Sequence, residues 1–284
     1  MSKRVSVALT SALLTAGLML GACGAPASNS AQSSSAAEAT SAQSTAAAST
    51  KVDVSEAILG DWKSAQYEVS GITMTGDLNS VMGSAMTLSF ANDGKGTFGF
   101  NGESVAFSWK AKDDTTVTLT FDKTSDSDVS IDSLDVTYDP ELKAISMVMK
   151  DESMDGTITF TADGTLKDQP TVDLSKAKAV TSVDQVAGTW KLSGFGSSGV
   201  LMIGEGSALS EAAGGTFDPT LAIAADGKIT DGSGTDWGTV SIGDDGATVT
   251  QSSVTIANLK LYNDSLIMDM SEIAGSETFM IYVK

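Results

Sequence analysis

From about residue 54 onward, apolar side chains recur at every second position rather than every third or fourth. Val117, Leu119 and Phe121 alternate with Thr116, Thr118 and Thr120. Ile145, Met147 and Met149 share one face, with Ser146, Val148 and Lys150 on the other. Leu266, Met268 and Met270 do the same against Ile267 and Asp269. A period of two marks strands with one buried face. Asn92-Asp93-Gly94 and Asp226-Gly227 interrupt such runs and read as hairpin turns, because glycine accepts positive φ. About eight short strands are predicted in each of two stretches, the spacing of an all-β barrel or sandwich. Short helices are predicted at Asp77 to Ala85 and Glu205 to Ala213, both after the first strands of a stretch.

The two stretches are copies. Ile58-Leu59-Gly60-Asp61-Trp62-Lys63 matches Val186-Ala187-Gly188-Thr189-Trp190-Lys191. Leu88 to Lys95 matches Leu221 to Lys228, and Asp113-Asp114 matches Asp244-Asp245. Trp109 aligns with Trp237, and Tyr138 and Leu142 align with Tyr262 and Leu266. Trp62 to Trp109 and Trp190 to Trp237 are both intervals of 47 residues. The expected units are 55–165 and 183–284, joined by a linker at 166–182 that holds Pro170 and three lysines. Each unit, at roughly 100 residues, is long enough for one small core.

The first residues follow another pattern. Lys3 and Arg4 precede a run from Val5 to Leu20 that is apolar apart from Ser and Thr, and Leu20-Gly21-Ala22-Cys23 follows. That order reads as a secretory signal over 1–22. The run is shorter than the ~20 apolar residues of a membrane-spanning helix. Residues 23–54 are dominated by Ala, Ser, Thr and Gln, too little apolar surface to offset ordering entropy, and read as a tether.

Composition narrows the chemistry. The formal charge is −19, and loss of residues 1–22, which include Lys3 and Arg4, would make it −21. Nucleic acid is an unsuitable partner for such a surface, since its binding needs cations that displace counterions. The chain has no histidine and one cysteine, Cys23. Nucleophilic sites of the Ser-His-Asp and Cys-His kinds are excluded, and so are the usual zinc sites. No cofactor is expected.

A cysteine directly after small residues resembles the lipobox of bacterial lipoproteins, which implies a diacylglyceryl, palmitate-bearing Cys23 on the outer face of the cytoplasmic membrane. Two acyl chains anchor stably where one does not. Gly60-x-Trp62 and Gly188-x-Trp190 resemble the Gly-x-Trp start of lipocalin-like domains. With the Asp-Gly-Lys turns and the closing Met-x-Met strands, they look like the tandem lipocalin-like repeats of Gram-positive surface lipoproteins. The resemblance implies two meander barrels of about eight strands each, with an internal or rim ligand site.

Candidate sites follow. Trp62 and Trp190 are expected to plug one barrel end each, with Gly60 and Gly188 letting the backbone pass close to the indole. Trp109 and Trp237 are candidate ligand platforms. Met147, Met149, Met268 and Met270 fall on the apolar face and read as core rather than copper ligands. Asp122, Asp126, Asp128, Asp132 and Asp135 are spaced loosely like a calcium loop but lack its turn glycine and its terminal bidentate glutamate. Asp113-Asp114 and Asp244-Asp245 read as turn residues. The expected protein is a non-enzymatic, membrane-anchored extracytoplasmic lipoprotein that binds a small apolar or amphipathic ligand or a partner protein. The alternative is a structural or interaction lipoprotein with filled barrels and no small ligand.

Overall fold

The computed structural model describes residues 52–78, 86–100, 102–122, 132–151, 154–212 and 218–284. Cys23, Asp126, Asp128, the signal and nearly all of the tether lie outside them, as does most of the helix expected at Asp77 to Ala85.

The N-terminal half begins with a short helix α1 (Val54–Ala57), capped by the Asp53 side chain, which accepts from the Ser55 amide. Strands follow: β1 (Gly60–Val69), β2 (Ile72–Gly76), β3 (Thr87–Phe90), β4 (Lys95–Phe100), β5 (Glu103–Ala111), β6 (Thr116–Phe121), β7 (Ser133–Asp139), β8 (Ala144–Asp151) and β9 (Met154–Thr161). Sequential antiparallel pairing runs from β3 to β9, and β9 returns to β1, whose first residues pair with β3. This closes an eight-stranded antiparallel barrel. The last residues of β1 pair with β2 instead. Between those two partners the register against β9 slips at Ser64/Gln66, leaving Ala65 as a bulge that bends the strand.

The C-terminal half holds β11 (Gly188–Ser197), β12 (Val200–Gly204), helix α2 (Gly206–Ala212), β13 (Thr220–Ile223), β14 (Lys228–Asp231), β15 (Asp236–Gly243), β16 (Gly246–Gln251), β17 (Val254–Tyr262), β18 (Ser265–Asp269), helix α3 (Ser271–Ala274) and β19 (Thr278–Val283). Its ladders repeat the same order. β11 pairs with β13 by its first residues, with β12 by its last and with β19 along its other edge. Its bulge falls at the matching place, between Leu192 and Gly194. The helix α2 lies within the stretch expected from the sequence.

Register corrects part of the alignment. Met147 faces Ile158 and Met268 faces Met280, so the methionine pairs correspond and are buried. Trp109 and Trp237 do not correspond. The Trp109 amide donates to Gly94 O (2.7 Å), and in the copy it is Val240 that donates to Gly227 O (2.8 Å). Trp237 instead occupies a bulge between the pairs Ile229↔Gly238 and Thr230↔Asp236. The shared 47-residue interval is a coincidence: the path from the first tryptophan to the turn glycine is longer in the second half, and the next hairpin is shorter. Likewise Tyr138 corresponds to Leu261, not Tyr262, because Tyr138 faces Ile145 and Leu261 faces Leu266.

The halves join edge to edge through β2 and β12. Val200 faces Gly76, Met202 faces Met74 and Gly204 faces Ile72. By hairpin position Ile72 corresponds to Val200, so this ladder maps onto itself when the halves are exchanged. It is the self-complementary pattern of a two-fold interface, and one apolar core runs through it.

The segment 166–182 is ordered against both halves. Gln169 Nε2 donates to Ala65 O (2.6 Å). Val172 and Leu174 pack on Leu201, Ile267, Phe279 and Ile281, on the outer face of the second half. The two-residue β10 (Lys178–Ala179) then pairs with β17, and Val180 is fully buried.

Candidate functional site

Trp62 and Trp190 share one burial and hydrogen-bonding pattern, though Trp62 meets the Tyr138 ring edge-on (centroids 6.1 Å apart). Both indoles are buried, and each Nε1 donates to the carbonyl four residues earlier, Ile58 O at 2.8 Å and Val186 O at 2.7 Å. The preceding turn thus hangs from the indole in each half. Gly60 and Gly188 serve a different purpose from the one expected. A Cβ at Gly60 would meet nothing within 4 Å, and at Gly188 only the Lys284 side chain. What requires glycine is φ, +116° and +128°, at the step from turn to strand. Lys284 Nζ lies 4.8 Å from the centre of the Trp190 ring.

Above the Trp62 end, the first interior is filled by rings. Phe90 contacts Phe107 and Trp109 edge-on, with centroids 5.3 and 5.9 Å apart. Phe121 contacts Phe107 and Phe98 at 5.8 and 6.3 Å. Such pairs add about 0.5–1.5 kcal/mol each beyond area burial. Trp109 is half-buried in this cluster, and its Nε1 donates to both Ala91 O and Lys95 O (3.1 Å each). Its Nε1 is thus committed to the β3–β4 turn. Along the same strands, Ser108, Trp109, Lys110, Ala111, Lys112, Thr118 and Thr120 line an open groove of about 520 Å3.

The second interior differs at the corresponding register positions. Phe90 gives way to Ile223, Phe98 to Asp231, Trp109 to Val240, and Phe121 to Gln251. The pair Gly96↔Phe107 becomes Ile229↔Gly238. Phe160 becomes Tyr282, a buried phenol whose hydroxyl donates to Met280 Sδ (3.3 Å), a weak acceptor. Burial, with a smaller push from Asp218, raises the phenol far above its ordinary pKa. Asp218 lies just before β13; its Oδ1 accepts from the Thr220 amide (2.8 Å) and would be 2.9 Å from a Cβ on Gly232. Trp237 is half-exposed in its bulge. Sequence reasoning missed Asp218 and Tyr282; aligning Ile158-Thr159-Phe160 with Met280-Ile281-Tyr282 would have shown the phenol.

Of the acidic candidates, Asp122, Asp132 and Asp135 are described. The Asp122 amide donates to Ala106 O, Asp132 O accepts from the Phe121 amide, and Asp126 and Asp128 lie outside the described residues. Asp135 accepts from Lys112 Nζ (2.6 Å) and Thr118. Among the described residues no three acids or cysteines are grouped as metal ligands. Asp113 accepts from the Thr115 and Thr116 amides (2.9 and 2.7 Å), and those bonds hold its carboxyl below its ordinary pKa. It is a turn cap.

No protein-family model matches the sequence, and no curated protein does either.

Proposed function

We propose that this chain is a non-enzymatic extracytoplasmic lipoprotein, held on the outer face of the cytoplasmic membrane by a diacylated Cys23. Its C-terminal ladders would form a second, tandem barrel of lipocalin-like build. The first half is a structural module and the second captures a small amphipathic molecule. The observation that carries this division is the replacement of the ring cluster of Phe90, Phe98, Phe107 and Phe121 by smaller and polar side chains at matching positions. The anchor rests on the order of charges, apolar run and small residues before Cys23.

A second reading has its own support. If short side chains and α2 close the second interior as fully as rings close the first, the chain is a structural or interaction lipoprotein without a small ligand.

Two measurements test the proposal. Growth of the host on radiolabelled palmitate should label the wild-type protein and not Cys23→Ala; an unlabelled wild type removes the anchor. Thermal shift against lipids, amphiphiles and glycans should find at least one stabilising compound. A ligand at 100 times its Kd adds ~2.7 kcal/mol. Silence across the panel removes the capture function and favours the second reading.

A further inference from the structure

Building on that reading, we propose that the second half binds an amphipathic organic cation, an amine or quaternary ammonium with a short apolar body. The site is its α3 end, between Asp218 and Trp237, with the Tyr282 hydroxyl at its floor.

The placement follows from strand direction. The α3 end of the second half is where β11 finishes and β19 begins, since Ser197 faces Thr278 there. Tyr282 sends its hydroxyl back along β19 to Met280, toward this end. Asp218 belongs to the same end, because Pro219 O accepts from the Leu192 amide beyond the pair Lys191↔Thr220. Asp231 lies across from Leu221 in the neighbouring ladder. Trp237 stands in the bulge of the next strand, and Gln251 faces Val254 in the hairpin after that. Val254 and Ile273 are both exposed here, and α3 packs against β17.

The chemistry selects a cation. The strands offer the Asp218 carboxylate and an indole in place of the first half's apolar rings, while Asp231 caps its own turn by accepting from the Ser233 and Thr235 amides (2.9 and 2.8 Å). An indole face attracts a cation and tolerates an apolar body. The phenol is 2% exposed and its only partner among the hydrogen bonds described is a thioether. A buried hydroxyl held that weakly costs stability, and its oxygen accepts no hydrogen bond among those described, leaving its lone pairs to face a cation. A carboxylate ligand would meet Asp218 as a like charge.

The test uses the mature chain and three probes of equal chain length: hexyltrimethylammonium, hexanol and hexanoate. Isothermal titration should give saturable binding of the ammonium, at least ten-fold tighter than hexanol and with none for hexanoate. Tryptophan fluorescence should respond in step. Asp218→Asn, which keeps an acceptor for the Thr220 amide, should weaken the ammonium at least ten-fold. Trp237→Leu should abolish the fluorescence response, and Trp109→Phe should preserve it. Equal binding of hexanol and the ammonium, or no effect of Asp218→Asn, overturns the cation assignment and leaves ligand capture standing. A response that survives Trp237→Leu overturns the location. Failure of every probe, with other amphiphiles still stabilising the protein, overturns this inference alone; failure of those as well removes the underlying function.

Discussion

The two halves share one ladder order, yet their corresponding outer faces differ. In the first half Gln66 and Glu68 project beside Thr157 and Thr159, and Gln66 Nε2 donates to Glu68 Oε1 (2.7 Å). In the second, the same four positions are Gly194, Gly196, Phe279 and Ile281. A Cβ on Gly196 would lie 2.1 Å from the Phe279 ring, and one on Gly194 would lie 2.8 Å from Ile281 Cδ1. The glycines clear room for apolar side chains, and Val172 and Leu174 of the connecting strap cover them. One scaffold therefore supports a solvated face or a second small core. What decides is whether another segment is there to exclude water.

The largest effect on this contrast is expected from Phe279→Thr, which installs the residue type of Thr157. Loss of a buried ring should cost about 3–5 kcal/mol in urea denaturation, and cleavage within 166–177 by a nonspecific protease should accelerate. A cost under about 1 kcal/mol with no change in cleavage would mean the strap is held elsewhere. Gly196→Glu, copying Glu68, should cost about 1–3 kcal/mol through overpacking against Phe279. The reverse change, Glu68→Gly, should cost under about 1 kcal/mol, the backbone entropy of a strand glycine. Equal costs would erase the distinction between the faces.

Where the halves agree, substitutions should agree too. Trp62→Phe and Trp190→Phe each strand a buried carbonyl and should each cost about 1–3 kcal/mol. A much larger loss at one tryptophan would show that its turn carries contacts the other lacks. The smallest effect concerns Asp269, whose counterpart Val148 cannot titrate. Burial pushes the Asp269 carboxyl up, but hydrogen bonds from Lys260 Nζ (2.7 Å) and Ser271 outweigh it and leave the pKa below its ordinary value. A folded-state pKa depressed in this way adds stability above the unfolded pKa of ~3.9. That contribution is lost as pH falls through the folded value. Wild type should lose more stability than Asp269→Asn between about pH 5 and about pH 2; parallel losses would show the ion pair to be silent.

Much of the fold was legible. Alternation in Val117-x-Leu119-x-Phe121 and in the two Met-x-Met runs gave strands and buried faces directly, because a strand's side chains have a strict period. The turn glycines were legible for the same local reason. The correspondence of Trp109 with Trp237 misled, since equal spacing says nothing of where loop residues are inserted. Only the amides of Trp109 and Val240, each reaching a turn glycine, revealed the true register. The role of Gly60 was also misjudged: the residue was right, but its φ is a property of the turn and not of the neighbouring indole.

The sequence by itself determined an all-β chain with an internal copy, an acidic surface and no imidazole or second thiol, because those depend on local period and composition. Tertiary structure alone decided that β2 meets β12 in a self-matching ladder and that the connecting segment seals one face. It also decided that Trp237 falls in a strand bulge and that Tyr282 is buried with a thioether as its described hydrogen-bond partner. Each of these depends on which segments meet in space, and that is set by strand register and packing, which a linear pattern does not contain.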